Sequence, residues 1–344
     1  MREMAKDSPA MGHSKKNYAR QATGFVISIV CLVLVFRKVD IDQIKAAVEN
    51  FHWHYFVLGL IALAFDYTIR IVRWAVMLRA GGAAISATRC AAPFLGSITL
   101  NNVLPFRAGD VIRALVFPAA LGVSRLTATA SLLFERLVDM LTLLACLGVG
   151  VLASSSASIP EWLQRSVVVL AVIGCTMLFL IAVFGDHAVK VLAYIEARMA
   201  SRSARLAKVI VTVSGLIGSI GAMSRVSVLL LITALSACIW VGETGLFWAI
   251  LHGLNIDVDF PGALTIMAVT TLSTLVPSSP GYVGPFHFAA YSMAVMFGSS
   301  ASAAASFAVL SHLALWIPTT VAGGLAILLN PSLFQRRKAV DTTF

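Results

Sequence analysis

Apolar runs separated by short basic segments fill the chain from residue 21 to residue 330. An uncharged run from Gln21 to Phe36 follows Arg2, Lys6, Lys15, Lys16 and Arg20, and Arg37 and Lys38 come next with no small-x-small cleavage site. That order predicts an uncleaved first membrane helix rather than a removable signal segment. Further runs centre on 54–78, 124–152, 163–185, 226–251 and 303–329. Each holds the roughly 20 apolar residues that a bilayer crossing needs. Two shorter apolar segments, 90–104 and 261–276, are each interrupted by Pro and Gly before the chain turns apolar again, which predicts broken helices, either re-entrant or full spans. Between Asp186 and Arg225 apolar residues recur at Leu206, Val209, Ile210, Val213, Leu216, Ile217 and Ile220, the spacing of one helical face. This amphipathic helix either lies flat on the cytoplasmic membrane surface or packs on the bundle.

The pattern predicts an all-α polytopic integral membrane protein, a helical bundle with two broken or re-entrant segments. Its expected divisions are a disordered basic tail over 1–20, one transmembrane domain over 21–330 that includes the 186–225 segment, and a C-terminal tail over 331–344. The two broken segments also resemble each other. T-L-N-N-V-L-P-F-R-A-G-D-V from Thr99 lies over T-L-S-T-L-V-P-S-S-P-G-Y-V from Thr271, pairing Thr99 with Thr271, Pro105 with Pro277 and Gly109 with Gly281. The runs 124–152, 163–185 and 226–251 separate the copies, and an odd number of crossings makes them inverted, as in many secondary transporters. Pro and Gly that merely kink ordinary helices would give a similar pattern.

Composition agrees: 59% of residues are hydrophobic and 12% charged, with a mean hydropathy of +0.89, where soluble domains sit near 45–50% and about 25%. No Asp, Glu, Lys or Arg occurs from Phe260 to Gln335. The formal charge of +10 is spread over short segments with no tract interleaved with aromatics, so nucleic acid is not an expected partner. Lys and Arg instead report topology. Arg79, Arg89, the basic residues of 186–225 and Arg336, Arg337 and Lys338 fall on one side, and only Arg37, Lys38, Lys45 and Arg165 on the other. The positive-inside rule then predicts cytoplasmic termini, with the 153–162 and 252–260 loops outside. Cys31, Cys90, Cys146, Cys175 and Cys238 are scattered in or beside apolar runs, which predicts neither disulfides nor a metal site.

Ionisable side chains inside the bilayer cost several kcal/mol unless paired or hydrated, so each is a candidate for function. Asp66, Arg70 and Arg73 form one stripe of the second span. Arg107, Asp110 and Arg113 follow the Pro105 break and share a face if that stretch is helical, while Glu135, Arg136 and Asp139 lie too deep in the third span to snorkel. These five arginines and four carboxylates can pair internally when empty and present Arg forks to a phosphate when occupied. The same residues could equally be interhelical ion pairs that hold the bundle together. Around the second break Pro277, Pro280, Gly281 and Gly284 leave backbone groups free, as a headgroup path requires and as an outer Pro-rich loop would too. Glu243, alone in its span, and His287 and His312 are secondary candidates that could titrate in a proton-coupled cycle or serve as packing residues. No nucleotide loop, G-x-S-x-G or H-E-x-x-H is present, so neither an enzyme nor an ATP-driven pump is expected, and no cofactor.

N-N-V-L-P-F-R-A-G-D-V-I-R (Asn101 to Arg113), F-E-R-L-V-D (Phe134 to Asp139) and P-S-S-P-G-Y-V-G-P-F (Pro277 to Phe286) together resemble the lysylphosphatidylglycerol synthase transmembrane-region family. That family comprises the flippase half of MprF-type proteins and stand-alone relatives. The resemblance implies lipid translocation, with Arg107, Asp110, Arg113, Glu135, Arg136, Asp139 and the Pro277–Gly284 loop as the matching positions. In MprF-type proteins a separate soluble domain carries aminoacyl transfer, and only about fourteen residues follow Asn330 here. The chain departs from the family pattern at Asp110, where Glu is common, and near Pro285 and His287, where a Glu often follows the glycines.

The expected function is therefore a flippase that moves an anionic, aminoacylated or lipid-linked molecule between leaflets of the bacterial inner membrane. The expected partners are a membrane lipid as substrate and either a second copy of the chain or a separate lipid-modifying enzyme. A membrane-embedded transferase or accessory subunit acting on lipid-linked sugars or headgroups is the alternative, and a scaffold for envelope enzymes a third.

Overall fold

A computed structural model describes residues 11–37, 41–154 and 204–334, together with isolated positions between 165 and 195. The helices are α1 (Met11–Phe36), α2 (Ile41–Glu49), α3 (Trp53–Ala80), α4 (Ala87–Val103), α5 (Ala108–Leu115), α6 (Phe117–Leu121), α7 (Arg125–Ala153), α8 (Ala204–Met223), α9 (Val226–Gly253), α10 (Phe260–Ser273), α11 (Pro285–Met296) and α12 (Ala301–Leu329). The described residues contain no strand. Four helices, α3, α7, α9 and α12, are long and apolar enough to cross a membrane. At 28 or 29 residues each, they extend about 42 Å, more than the ~30 Å hydrocarbon core. Large apolar side chains such as Val57, Ile61 and Phe65 of α3 and Ile317, Val321 and Leu325 of α12 are exposed, as lipid-facing surfaces require.

The expected apolar runs reappear with shifted ends. Helix α1 begins at Met11, so residues 11–20 of the expected basic tail are helical. The run at 163–185 and most of the 186–203 segment lie outside the described residues, as do residues 1–10 and 335–344. Helix α8 packs on the bundle: Leu216 and Ile220 join Trp74, Phe134 and Met223 in one apolar cluster, and Gly215 lies against Leu126 of α7. Val209 and Val213 of the same face stay exposed, so the packing is made by the C-terminal half of the helix.

Helices α3 and α9 run antiparallel. Tyr55 stacks near Trp248 and His252, Gly59 lies against Leu246 and Ala249, and Arg73 reaches Ser236. Glycines 59, 242 and 245 let the two backbones approach, since an added Cβ at each would press on the facing helix. His52 N–H donates to the Gly253 carbonyl, and Gly150 of α7 abuts Pro261, so the start of α3, the ends of α7 and α9 and the start of α10 share one end of the bundle. The opposite end carries Arg79, Arg89, Arg125 and Arg225, the end or the start of α3, α4, α7 and α9.

The structure resolves whether the broken segments turn back. Helix α4 leaves the arginine-bearing end, and α5 and α6 bring the chain back along it. Arg89 donates to the Leu121 carbonyl across the mouth of this hairpin, at 3.4 Å. Gly109 of α5 sits so close to α4 that a Cβ there would meet the Ser97 carbonyl and Asn101. Helix α10 leaves the other end and α11 returns to it, where Phe297 packs on Gly262. Both segments are re-entrant, from opposite ends, and at about 26 and 21 Å neither α4 nor α10 spans the hydrocarbon alone.

The order α3–α4–α5–α7 is thus repeated, inverted, as α9–α10–α11–α12. The first arm of each hairpin packs on the span that follows the other hairpin, α4 on α12 and α10 on α7. Side-chain caps begin the matching helices: Ser86 for α4 and Asp259 for α10, Ser124 for α7 and Ser300 for α12. The register differs from the expected one. Short 3-10 turns at Pro105–Arg107 and Pro280–Tyr282 are the equivalent breaks, each with two consecutive residues at positive φ. Pro105 therefore matches Pro280 and not Pro277, because Pro277, Ser278 and Ser279 are extra chain ahead of the second turn.

Candidate functional site

The two breaks touch each other at the centre of the bundle. Phe106 and Arg107 have φ of 60° and 52°, Gly281 and Tyr282 of 73° and 61°. For three side-chain-bearing residues this left-handed conformation costs of order 1–3 kcal/mol each. It follows the extended Leu104 that ends α4 and turns Arg107 away from the following helix. Arg107 therefore does not share a face with Asp110 and Arg113, contrary to expectation. Its guanidinium lies 5.2 Å from the Tyr282 ring centroid and donates to the Thr274 carbonyl at 3.0 Å. The residue that closes one break thus rests on the residue that closes the other.

Around this point lies a layer of ion pairs between two apolar cores, one containing Leu63, Leu143 and Phe247, the other Trp74, Phe94 and Phe134. Asp66 stands thirteen residues from Trp53 and fourteen from Ala80, about 20 Å from either end of α3. Arg70 bridges two carboxylates, Asp66 at 2.7 Å and Glu243 of α9 at 2.6 Å, and its guanidinium lies 4.8 Å from the Trp240 ring centroid. Glu243 also accepts from Thr271 of α10 at 2.7 Å. Glu243, the lone charged residue of its own span, is thus paired from two other helices. Arg73 meets Asp139 of α7 at 2.6 Å and Ser236 at 2.7 Å.

A second network joins α5 to α7. Arg113 donates to Glu135 at 2.9 Å, and its remaining polar face lies over Trp74 and Phe94, whose rings offer cation–π contacts. Arg136 meets Asp110 at 2.6 Å, and Asp110 is held on its other side by Asn101 at 2.9 Å. Burial separates the arginines: the Arg113 side chain is 2% exposed, that of Arg136 40%. Five arginines therefore face five carboxylates, but unevenly. Arg70 serves two, Arg113 reaches Asp110 at 3.8 Å besides Glu135, and Arg107 makes no ion pair among the described residues.

A cavity of about 350 Å³ opens on this layer. Arg70, Arg107, Arg136, Asp139 and Glu243 line it among the charged candidates. Asp66, Arg73, Asp110, Arg113 and Glu135 stand behind them as buried partners. Gly281 and His312 also line it, and His312 holds the Gly281 carbonyl at 2.7 Å while its ring stacks 4.6 Å from that of His287. Pro277 and Pro280 line a smaller adjoining space of about 130 Å³ that α1 covers with Gly24 and Phe25. Gly284 faces neither. It packs on Ser28 of α1, whose hydroxyl donates to the Val283 carbonyl at 2.7 Å.

Several lining residues were not singled out from sequence: Asn101, Asn102, Tyr67, Trp240, Thr319 and Trp316. Adjacent carboxamides in an apolar run, just ahead of Pro105, were a usable signal. The aromatics were not, since lone Trp and Tyr residues in a span usually only pack.

Residues 21–323 match the family model of the lysylphosphatidylglycerol synthase TM region. Among curated proteins the chain is similar to Glycosyltransferase AglD of Haloferax volcanii, 24% identical over an alignment that covers 89% of this chain and 54% of that protein. The chain spans about half the length of this curated relative. With a family match running from α1 into α12, through both re-entrant hairpins and the ion-pair layer between them, this membrane protein belongs to the lipid-related family of the lysylphosphatidylglycerol synthase transmembrane region.

Proposed function

We propose that the protein is a lipid flippase that carries the anionic headgroup of a phospholipid or lipid-linked molecule through the cavity where the two breaks meet. The observation that carries this reading is Arg107, an intramembrane guanidinium without an ion-pair partner among the described residues, on the wall of a cavity it shares with the accessible Arg136. A lipid crosses slowly because its charged head must shed water in hydrocarbon. Arg107 offers the phosphate a charge-assisted bond without giving up a carboxylate, and Arg136 can turn to it from Asp110. The carboxylates around them keep the cavity from holding the anion too tightly, as release on the far side requires. The acyl tails stay in lipid, against the apolar outer faces of the spans.

Inverted hairpins that enter from opposite ends supply two related ways of opening the same central site. The arginine-bearing end faces the cytoplasm of a bacterial cell in this reading, because Arg79, Arg89, Arg125 and Arg225 gather there. The name of the Haloferax volcanii relative suggests a second reading, an accessory role in sugar transfer, in which this region would present a lipid-linked acceptor to a separate transferase. Purified protein in liposomes decides between them. Fluorescent phosphatidylglycerol, an aminoacylated lipid, a hopanoid and a polyprenyl phosphate are each tested for exchange between leaflets. Acceleration of one of them supports transport. No acceleration of any by well-folded protein, with and without a proton gradient, sinks the flippase reading in favour of the accessory role.

A further inference from the structure

The Asp66–Arg70–Glu243 group carries one negative charge more than it can pair. Among the described residues Arg70 is the only cation bonded to either carboxylate. Both Glu243 oxygens are engaged, Oε2 by Arg70 and Oε1 by the Thr271 hydroxyl. Asp66 is 0% exposed, and while its Oδ1 holds Arg70, its Oδ2 is buried without a hydrogen-bond partner. The charged and titratable groups nearby are Tyr67 and Arg73 of α3, Asp139 and Cys146 of α7 and Tyr282 at the second break. None adds a free cation, since Arg73 is already bonded to Asp139. An uncompensated carboxylate at the centre of a bilayer is costly, and a bound proton removes the cost.

We infer that the Asp66–Glu243 pair binds one exchangeable proton and that this proton drives transport. The inference rests on the flippase reading above and names its energy source. Loading transfers a proton from hydronium in the cavity to the pair, giving one carboxylic acid and one water, with no other bond broken. Glu243 lines the cavity and supplies the way in, and Asp66 Oδ2 is the unoccupied position where the proton is held. Helix α10 provides the connection to the anion site. Thr271 in its last turn is held by Glu243, and Thr274, one turn later, accepts from Arg107. A change in the Glu243 bonds therefore moves the backbone on which Arg107 rests, so that proton and anion each bias the same turn of one re-entrant hairpin.

Two measurements test this. The first is infrared difference spectroscopy of the purified protein between high and low pH. A buried carboxylic-acid band should appear in the native chain and be lost in both Asp66→Asn and Glu243→Gln. Absence of the band in the native chain, or its survival in both variants, overturns the inference whether or not lipid moves. The second uses liposomes with fluorescent phosphatidylglycerol and the membrane potential clamped at zero. A gradient of one pH unit should drive a leaflet asymmetry of up to about tenfold for one proton per lipid. In Asp66→Asn the gradient should no longer bias exchange, each rate being compared with the same variant's own rate without a gradient. Exchange in the native chain that ignores the gradient overturns proton coupling and leaves the flippase reading standing. Absence of exchange with the carboxylic-acid band present overturns the flippase reading and the driving role of the proton, and leaves only the proton site.

Discussion

At the residue scale, burial decides which arginines hold the bundle and which are free to act. Arg113 is enclosed by Trp74, Phe94 and Glu135, with Nε and Nη1 lacking any hydrogen-bond partner. Removing it leaves Glu135 as an unpaired buried charge, a change that costs about 3–5 kcal/mol in comparable pairs. Arg113→Ala should therefore lower the thermal midpoint in detergent sharply. Arg136→Ala should lower it far less, because that side chain is 40% exposed and Asp110 keeps its bond to Asn101. Intrinsic fluorescence on heating distinguishes the two, and equal destabilisation would show that Arg136 is structural as well. Most of these side chains were legible in the sequence as intramembrane charges. Their pairing was not, because it joins residues far apart in the chain: Arg70 and Glu243 are separated by 173 positions, and Glu243 is the lone charged residue of its own span.

At the element scale, close backbone approach fixes the re-entrant hairpins. Gly109 is where α5 meets α4, and a methyl group there would collide with the Ser97 carbonyl and with Asn101, the residue that holds Asp110. Gly109→Ala should destabilise the protein and disturb the Asp110–Arg136 pair together. Gly148→Ala is the control, since its Cβ would meet nothing within 4 Å and a helical Gly→Ala change gains up to about 1 kcal/mol of propensity. Thermal midpoints should move in opposite directions, and a Gly109→Ala protein as stable as the native chain would mean that the hairpin is looser than described. The existence of both breaks was legible from Pro and Gly in apolar runs, but their turning back was not, since hydropathy alone cannot distinguish a hairpin from two short spans. The repeat was legible and its register was not. Matching residue types paired Pro105 with Pro277, whereas the turn is set by which residues take positive φ, and those follow Pro280.

At the scale of the whole molecule, the charge asymmetry between the two ends should set orientation. The end with His52, His252, Asp257 and Asp259 should face away from the cytoplasm, and the end with Arg79, Arg89, Arg125 and Arg225 toward it. Cysteine placed at Asn255, in a chain with its native cysteines replaced, should react with an impermeant reagent added to intact cells. Reaction at Asn255 only after the membrane is opened would reverse the assignment.

The central claim is that a lipid headgroup crosses the bilayer at the meeting point of the two breaks and depends on Arg107 to do so. Leaflet exchange of whichever probe the native protein accelerates, measured in liposomes with native, Arg107→Ala and Arg107→Lys protein of matched stability, tests it most directly. Loss of a charge-assisted bond of about 1.5–3 kcal/mol predicts exchange roughly 10- to 100-fold slower in Arg107→Ala, with part of the rate restored by Arg107→Lys. Exchange in Arg107→Ala as fast as in the native protein would contradict the account.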